Sequence, residues 1–232
     1  MAQVQFICLA HSKKYNERCV AGVRLDSAEW VRPVSRKEHG ELAPAQLRFA
    51  DGGEPHNFDV ISAMLGEHVP VRNQPENWRV QNAPWKLLSR PAPAECSAIL
   101  RKALFRGSVL FGNTTDRVHY SAFENTPAKE SLILVKPEHP RWTAKRTLTW
   151  KRQLRVCFRL GGVNYDLAVT DIPYDDKLKE LELGEHTSGQ LGIQDEKAIY
   201  FTVSLGEPFE GGNCFKLVAA VLQLPPGWPS LE

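Results

Sequence analysis

Between Arg141 and Arg159 the chain carries Arg141, Lys145, Arg146, Lys151, Arg152, Arg155 and Arg159, and no acidic residue. Trp142, Trp150 and Phe158 stand among these cations. Cationic side chains neutralise phosphates, and aromatic rings offer faces on which bases stack, so this mixture can hold a nucleic acid strand. A second cationic group is Lys13, Lys14, Arg18 and Arg32, with Ser35 nearby as a hydroxyl donor. Arginine grips phosphate in a two-pronged way, and a serine hydroxyl adds one more contact. The third candidate is Gln74-Pro75-Glu76-Asn77-Trp78, where amides can read base edges and an indole can stack. The expected binding residues are therefore Lys13, Arg18, Arg32, Ser35, Asn77, Trp78, Trp142, Lys145, Arg146, Trp150, Lys151, Arg152, Arg155 and Arg159.

Each group also has a plainer reading. Asp166 falls beside Arg155 and Arg159 across a hairpin, so these arginines can form surface ion pairs. The tryptophans can belong to the core. Arg32 and Ser35 can hold the turn around Pro33 and Val34. The loop before Trp78 can be fixed by its own amide bonds, with the indole closing a barrel end.

Catalytic patterns are missing. Asp166 and Asp171 are five residues apart on one strand, and the two-residue period turns them to opposite faces. The sequence has no GxSxG, no phosphate loop, no HExxH and no HxE followed by PCxxC. No catalytic residue, metal ligand or cofactor is assigned.

A hairpin must position the cations. Residues 154–169 read LRVCFRL-GG-VNYDLAV, with apolar residues alternating on either side of a Gly-Gly turn. Leu154, Val156, Phe158 and Leu160 share one face with Val163, Tyr165, Leu167 and Val169. Arg155 and Arg159 share the other with Asn164, Asp166 and Thr170.

Before the hairpin, strand character covers 4–10, 18–23, 30–34, 58–65 and 131–136, and a further strand is expected over 143–149. Pro33 argues that its strand is an edge or ends there. An apolar stripe of Cys96, Ile99, Leu100, Ala103 and Leu104 predicts a helix over 94–104. At most one helical turn fits 44–49, and 70–93 reads as a structured loop. After the hairpin come a helix over 175–183, strands over 198–205 and 215–224, and a loose tail from Pro225. Pro137-Glu138-His139-Pro140 is the best boundary, dividing the chain into 1–138 and 139–232. The fold class is mainly β: two tandem small antiparallel β-barrels, OB-like in size, with one or two inserted helices.

Bulk properties exclude some classes. The 232 residues carry a formal charge of +2. Residues 1–145 hold 20 Lys and Arg against 15 Asp and Glu, and residues 146–232 hold 9 against 12. Such a balance is too weak for coating duplex DNA by charge alone. No apolar run approaches the ~20 residues of a membrane helix, and the N-terminus lacks the pattern of a signal peptide. The five cysteines are scattered without a CxxC pair, which fits reduced thiols in a cytoplasmic protein.

Several strings, in order, carry a likeness to a known family. They are Arg18-Cys19-Val20-Ala21-Gly22, Trp30-Val31-Arg32-Pro33-Val34-Ser35, Gln74-Pro75-Glu76-Asn77-Trp78 and Asp116-Arg117-Val118. The second half adds Tyr165 to Asp171, Val203 to Phe209 and Lys216 to Ala220. With these the chain resembles the prokaryotic dual OB-containing domain family from Phe6 to about Leu222. The resemblance implies two OB-like units in tandem and nucleic-acid binding in bacterial defence or genome-maintenance settings. It assigns no residue-level role.

The expected function is a nucleic-acid-binding module, for single-stranded or structured nucleic acid, with no membrane partner and no enzymatic activity. Two alternatives stay open. One is a nucleotide or small-ligand sensor with a pocket between the halves. The other is a metal-dependent enzyme on nucleic acid, using Asp166, Asp171 and a histidine such as His186.

Overall fold

The computed structural model describes residues 2–232, and of Glu210 the backbone alone. Its first sheet contains β1 (Ala2–Lys14), β2 (Glu17–Arg24), β3 (Trp30–Val34), β4 (Val60–His68), β5 (Asn77–Val80) and β6 (Lys86–Ser89). Their order is β1-β2-β3-β5-β4-β6, and β1 pairs again with β4 over Ala2 to Ile7. The first five strands therefore close into a barrel, with β3 and β5 its one parallel pair. A single helical turn, α1 (Pro44–Leu47), lies between β3 and β4.

The linking region carries α2 (Ser97–Ala103), extended by a 3-10 turn at Ala94–Cys96 as the apolar stripe predicts. The second sheet contains β7 (Arg117–His119), β8 (Leu132–Val135), β9 (Glu138–Arg146), β10 (Arg152–Leu160), β11 (Val163–Val169), β12 (Gly184–His186), β13 (Ile199–Phe209) and β14 (Asn213–Gln223). It repeats the order of the first as β9-β10-β11-β14-β13, and β11 and β14 are again parallel. The last partner, β8, pairs with β13 and joins β9 through Lys136 and Pro137 alone. Together β8 and β9 thus occupy the place that β1 fills in the first barrel. β7 and β8 precede residue 139 and pair with β14 and β13. The fold is mainly β, with OB-like units.

The hairpin at Gly161-Gly162 forms in the expected register, Phe158 opposite Tyr165 and Cys157 opposite Asp166. Both glycines have positive φ, 51° and 91°, as a tight primed turn requires. Elsewhere the structure departs from expectation. β3 is no edge: it is flanked by β2 and β5, and it ends at Val34, one residue after the proline. Residues 70–93 contribute β5 and β6, whose short length and mixed polarity hide their period. The third helix, α3 (Ile172–Lys177), starts three residues earlier than expected and ends sooner. Pro173 sets it, since proline suits the first helical turn where no N–H is needed. The tail is packed, not loose: Leu231 is buried, its N–H donates to Tyr200 Oη, and Trp228 meets Phe58 edge-on.

Three large apolar clusters form, beside a small one of Val118, Phe123, Leu205 and Cys214. One fills the first barrel with Val4, Phe6, Cys8, Val20, Val31, Ile61 and Trp85. One fills the second with Val156, Phe158, Tyr165, Leu167, Phe201 and Val218. The third lies between them and draws Ile7, Leu9 and Ala21 from the first barrel and Leu134, Tyr200, Ala220 and Leu222 from the second. β1 serves two of these, because alternate side chains go to opposite faces. Polar bonds cross the same junction: Thr202 Oγ1 donates to Leu9 O at 2.5 Å, and Lys13 N–H to Thr170 O at 3.0 Å. Leu9→Ala should therefore cost the whole molecule about 2–5 kcal/mol. Urea unfolding followed by two probes should show one shared, shifted transition and not the loss of one barrel.

Candidate nucleic-acid interface

Between the barrels lies a cleft of about 690 Å³. The first barrel lines it with Ser12, Lys13, Lys14, Tyr15, Cys19, Arg32 and Gln74. The second contributes Thr147 to Thr149, Lys151, Gln153, Arg155, Ala168, Thr170, Ser204, Gly206, Phe209, Phe215, Lys216, Leu217 and Ala219, with the carboxylates Asp116 and Glu207. These positions have a common origin in the two barrels. Both contribute from their second and third strands and from the loop between first and second strands; the first adds the end of β1 and the loop between its fourth and fifth strands, and the second adds stretches of its fourth and fifth strands. Tyr15 belongs to the β1–β2 loop, Gln74 to the β4–β5 loop, and Thr147 to Lys151 form the β9–β10 loop.

The β9–β10 loop projects. Leu148 is fully exposed and Trp150 is 75% exposed. Trp150 takes positive φ, 62°, and its N–H donates to Thr147 O at 2.9 Å. The Arg146 guanidinium lies 5.7 Å from the Trp150 ring centroid and donates to Trp150 O. Arg152 donates to Leu181 O. An exposed indole with a stacked guanidinium offers a flat cationic platform.

Most cations here already have partners. Arg155 Nε meets Asp166 Oδ1 at 2.7 Å, and Lys145 lies 3.7 Å from the same carboxylate. Lys13 pairs with Asp175 at 3.0 Å and Lys14 with Glu207 at 2.9 Å. Arg18 pairs with Glu54 at 3.2 Å, outside the cleft lining. Among the described residues, Lys151 and Arg32 have no carboxylate within ion-pair distance.

The structure brings Lys13, Arg32, Lys151 and Arg155 together and sets Lys145, Arg146, Trp150 and Arg152 along the adjoining hairpin. Other expected residues lie elsewhere. Trp142 is 1% exposed, stacks parallel to Tyr174 and donates to Ser188 Oγ, so it is core and cannot stack a base. Its inward turn follows from strand alternation with Ala144 and Pro140. Ser35 is buried and spends its hydroxyl on Glu41 O and Lys37 N–H, fixing the turn after β3. Asn77 is buried where β5 enters the barrel. Trp78 stacks on His68 at 4.8 Å in a separate groove with Arg24, Trp30 and Arg101. Arg159 lies exposed on β10, away from the cleft lining.

Tyr15, Ser204, Phe209 and Phe215 were not singled out from sequence. Lys216 was not either, though a lysine inside FKLVAAV is a visible anomaly. Phe215 and Leu217 face the cleft, and alternation turns Lys216 inward. Its ammonium donates to Asn113 O and Oδ1, both at 2.7 Å, and burial pushes its pKa down to about 8. The carboxylates expected of an enzyme do not converge. Asp166 is a surface partner of Arg155, and Asp171 is fully buried. Among the described residues no three His, Cys, Asp or Glu side chains form a metal-ligating group. No helix of the described residues is long and apolar enough to cross a membrane.

A family model described as the dual OB-containing domain matches residues 4–221. The chain belongs to this family. No curated relative matches it. This dual OB chain is also similar to the solved structure "Crystal structure of the tetrameric p202 HIN2", at 7% identity and TM-score 0.31, over 97% of this chain and 94% of that one. A second likeness, "Molecular basis for abrogation of activation of pro-inflammatory cytokines", has 8% identity and TM-score 0.30 over 92% and 87%. At such TM-scores neither likeness carries an argument about what the chain binds.

One titratable group sits at the junction of the two OB-like units. Asp171 Oδ2 accepts from Val221 N–H at 2.9 Å, and Ser12 bridges to the same residue through the backbone. Burial raises its carboxyl from 3.8 to about 7. Between those values the folded chain holds a proton that the unfolded chain has released, so stability falls as pH rises from about 4 to about 7. Above that the full cost of a buried carboxylate remains. Asp171→Asn keeps an oxygen for Val221. It should stabilise the fold by on the order of 2 kcal/mol near pH 8 and leave it nearly unchanged near pH 4. Thermal melts of both proteins at the two pH values check this.

Proposed function

We propose that the chain binds nucleic acid, single-stranded or structured, in the cleft between its two barrels and along the β9–β10 hairpin. The observation that supports this is the convergence of equivalent surfaces. OB folds bind oligonucleotides on the face of the second and third strands and through the loops joining the first to the second and the fourth to the fifth strand. Here the second and third strands and the loop between first and second strands of both barrels, with the β4–β5 loop of the first, line one cleft.

The side chains suit the task. Lys13, Lys14, Lys151 and Arg155 follow the walls, where they can track phosphates. Tyr15, Trp150 and Phe209 are exposed aromatics in or beside it, available to stack bases without regard to sequence. The carboxylates paired with Lys13, Lys14 and Arg155 make these cations exchangeable: a phosphate replaces a carboxylate of similar charge at side chains that keep part of their surface in water.

Labelled single-stranded oligonucleotide should bind with an affinity that falls steadily as salt is raised. Replacing Trp150 by Ala and Lys151 by Glu together should weaken it by about tenfold or more, the worth of one stacked base plus one phosphate contact, with an unchanged melting temperature. Asp166→Asn should act in the opposite direction and tighten binding, because it frees Arg155 and Lys145. Absence of binding at low salt, or affinity indifferent to salt, overturns the proposal.

A further inference from the structure

Arg32 is an anomaly at the floor of the cleft. It lies in the middle of β3, is 1% exposed, and turns out of the first barrel while Val31 turns in. Its Nη2 donates to Ser204 Oγ of the second barrel at 3.1 Å. Its Nε and Nη1 donate to nothing. Among the described residues no carboxylate pairs with it, unlike Lys13, Lys14 and Arg155 above it. A buried guanidinium without a counter-charge is strongly unfavourable, and buried polar groups left without acceptors are rare.

Resting on the reading just given, we infer that Arg32 with Ser204 forms an anion pocket that takes the phosphate monoester of a nucleotide, either a strand end or a free nucleotide. The surroundings supply the remaining contacts. Ser12 and Thr170 bring hydroxyls to the same cleft. Lys151 stands at the rim as another cleft cation without a carboxylate partner. A monoester carries about −1.5 to −2 near neutral pH and presents three terminal oxygens. That suits donors that diverge on different edges of the guanidinium plane better than a two-oxygen carboxylate does. An internal phosphodiester carries one charge and drags a nucleotide on each side, so it cannot reach a closed floor. A single nucleotide fits, since small-ligand sites run about 300–1,000 Å³ and this cleft lies within that range. The two free nitrogens are shut off from water, so phosphate entry requires floor side chains such as Ser204 to turn aside.

The test compares a short thymidine oligonucleotide ending in hydroxyl with the same strand carrying a 5′- or 3′-phosphate, beside a thermal-shift panel of nucleoside monophosphates and nucleosides. The intact protein should bind a phosphorylated end about tenfold more tightly, or should be raised in melting temperature by monophosphates and not by nucleosides. The first outcome identifies a strand end as the source, and the second a free nucleotide. Arg32→Met should abolish either discrimination, so that phosphorylated and hydroxyl-ended strands bind alike and monophosphates no longer raise the melting temperature. Its own melting temperature should not fall, because an unpaired buried charge is removed. The Arg32 Nε–H resonance of the unaltered protein should also move when phosphorylated ligand is added, a readout that does not depend on the variant folding. No discrimination in either arm, an unmoved resonance, or discrimination that survives in Arg32→Met overturns the inference. If hydroxyl-ended strands fail to bind while monophosphates still shift the melting temperature, the strand-binding reading alone has failed.

Discussion

β1 is buried on both of its faces, and the arrangement of the molecule follows from that. Phe6 and Cys8 fill the first barrel, while Ile7 and Leu9 enter the cluster shared with the second. A strand committed on two sides cannot slip by one residue without exchanging both sets of side chains. It also pairs with β2 and β4 along its edges, so its position is fixed in every direction. The second barrel docks on this strand through Thr202 and Thr170, whose hydroxyl and carbonyl meet the backbone of Leu9 and Lys13. Shared apolar burial of this kind makes the two barrels one mechanical unit and sets the width of the cleft above it.

The cleft exists because the two docked surfaces are unequal in character along their length. Toward Ile7 and Leu9 the contact is apolar and close. Toward the end of β1 the residues become Ser12, Lys13 and Lys14, which are poorly matched to a dry interface, and the barrels part. Bonds that continue across the gap are polar: Asn73 Nδ2 to Gly206 O, Gln74 Nε2 to Leu205 O, and Arg32 to Ser204. Of these three, only the arginine brings a full charge, and only the arginine has nitrogens with no partner at all. Each amide nitrogen is held by a backbone carbonyl, so the amides serve the junction. Arg32 exceeds what the junction requires.

Much of the fold was legible because its determinants are local. The alternation around Gly161-Gly162 fixes the register of β10 and β11, and the stripe from Cys96 to Leu104 fixes α2. The order of the strings from Arg18 to Ala220 placed two OB-like units on the chain. What was not legible depends on pairing at long range. β5 and β6 have four residues each, too few for a period, and exist because β3 and β4 offer them edges. The tail is ordered by Tyr200 and Phe58, which nothing in Pro225 to Glu232 announces.

The candidate site divided along the same line. The exposure of cationic hairpin residues such as Lys151 could be read directly, because charged side chains in a turn stay in water. Trp142 could not be told from Trp150 by composition, although they stand eight residues apart in one basic segment. Alternation within β9 turns Trp142 onto Tyr174, while positive φ in the turn throws Trp150 outward. Arg32 is the instructive case. Its sequence setting, Trp-Val-Arg-Pro-Val, places a permanent cation in an outward position of a central strand. Outward from one barrel proved to mean inward to the molecule, since the second barrel covers that face. A charge that a single barrel would leave in water is thereby enclosed, and its cost falls away only when an anion shares the enclosure.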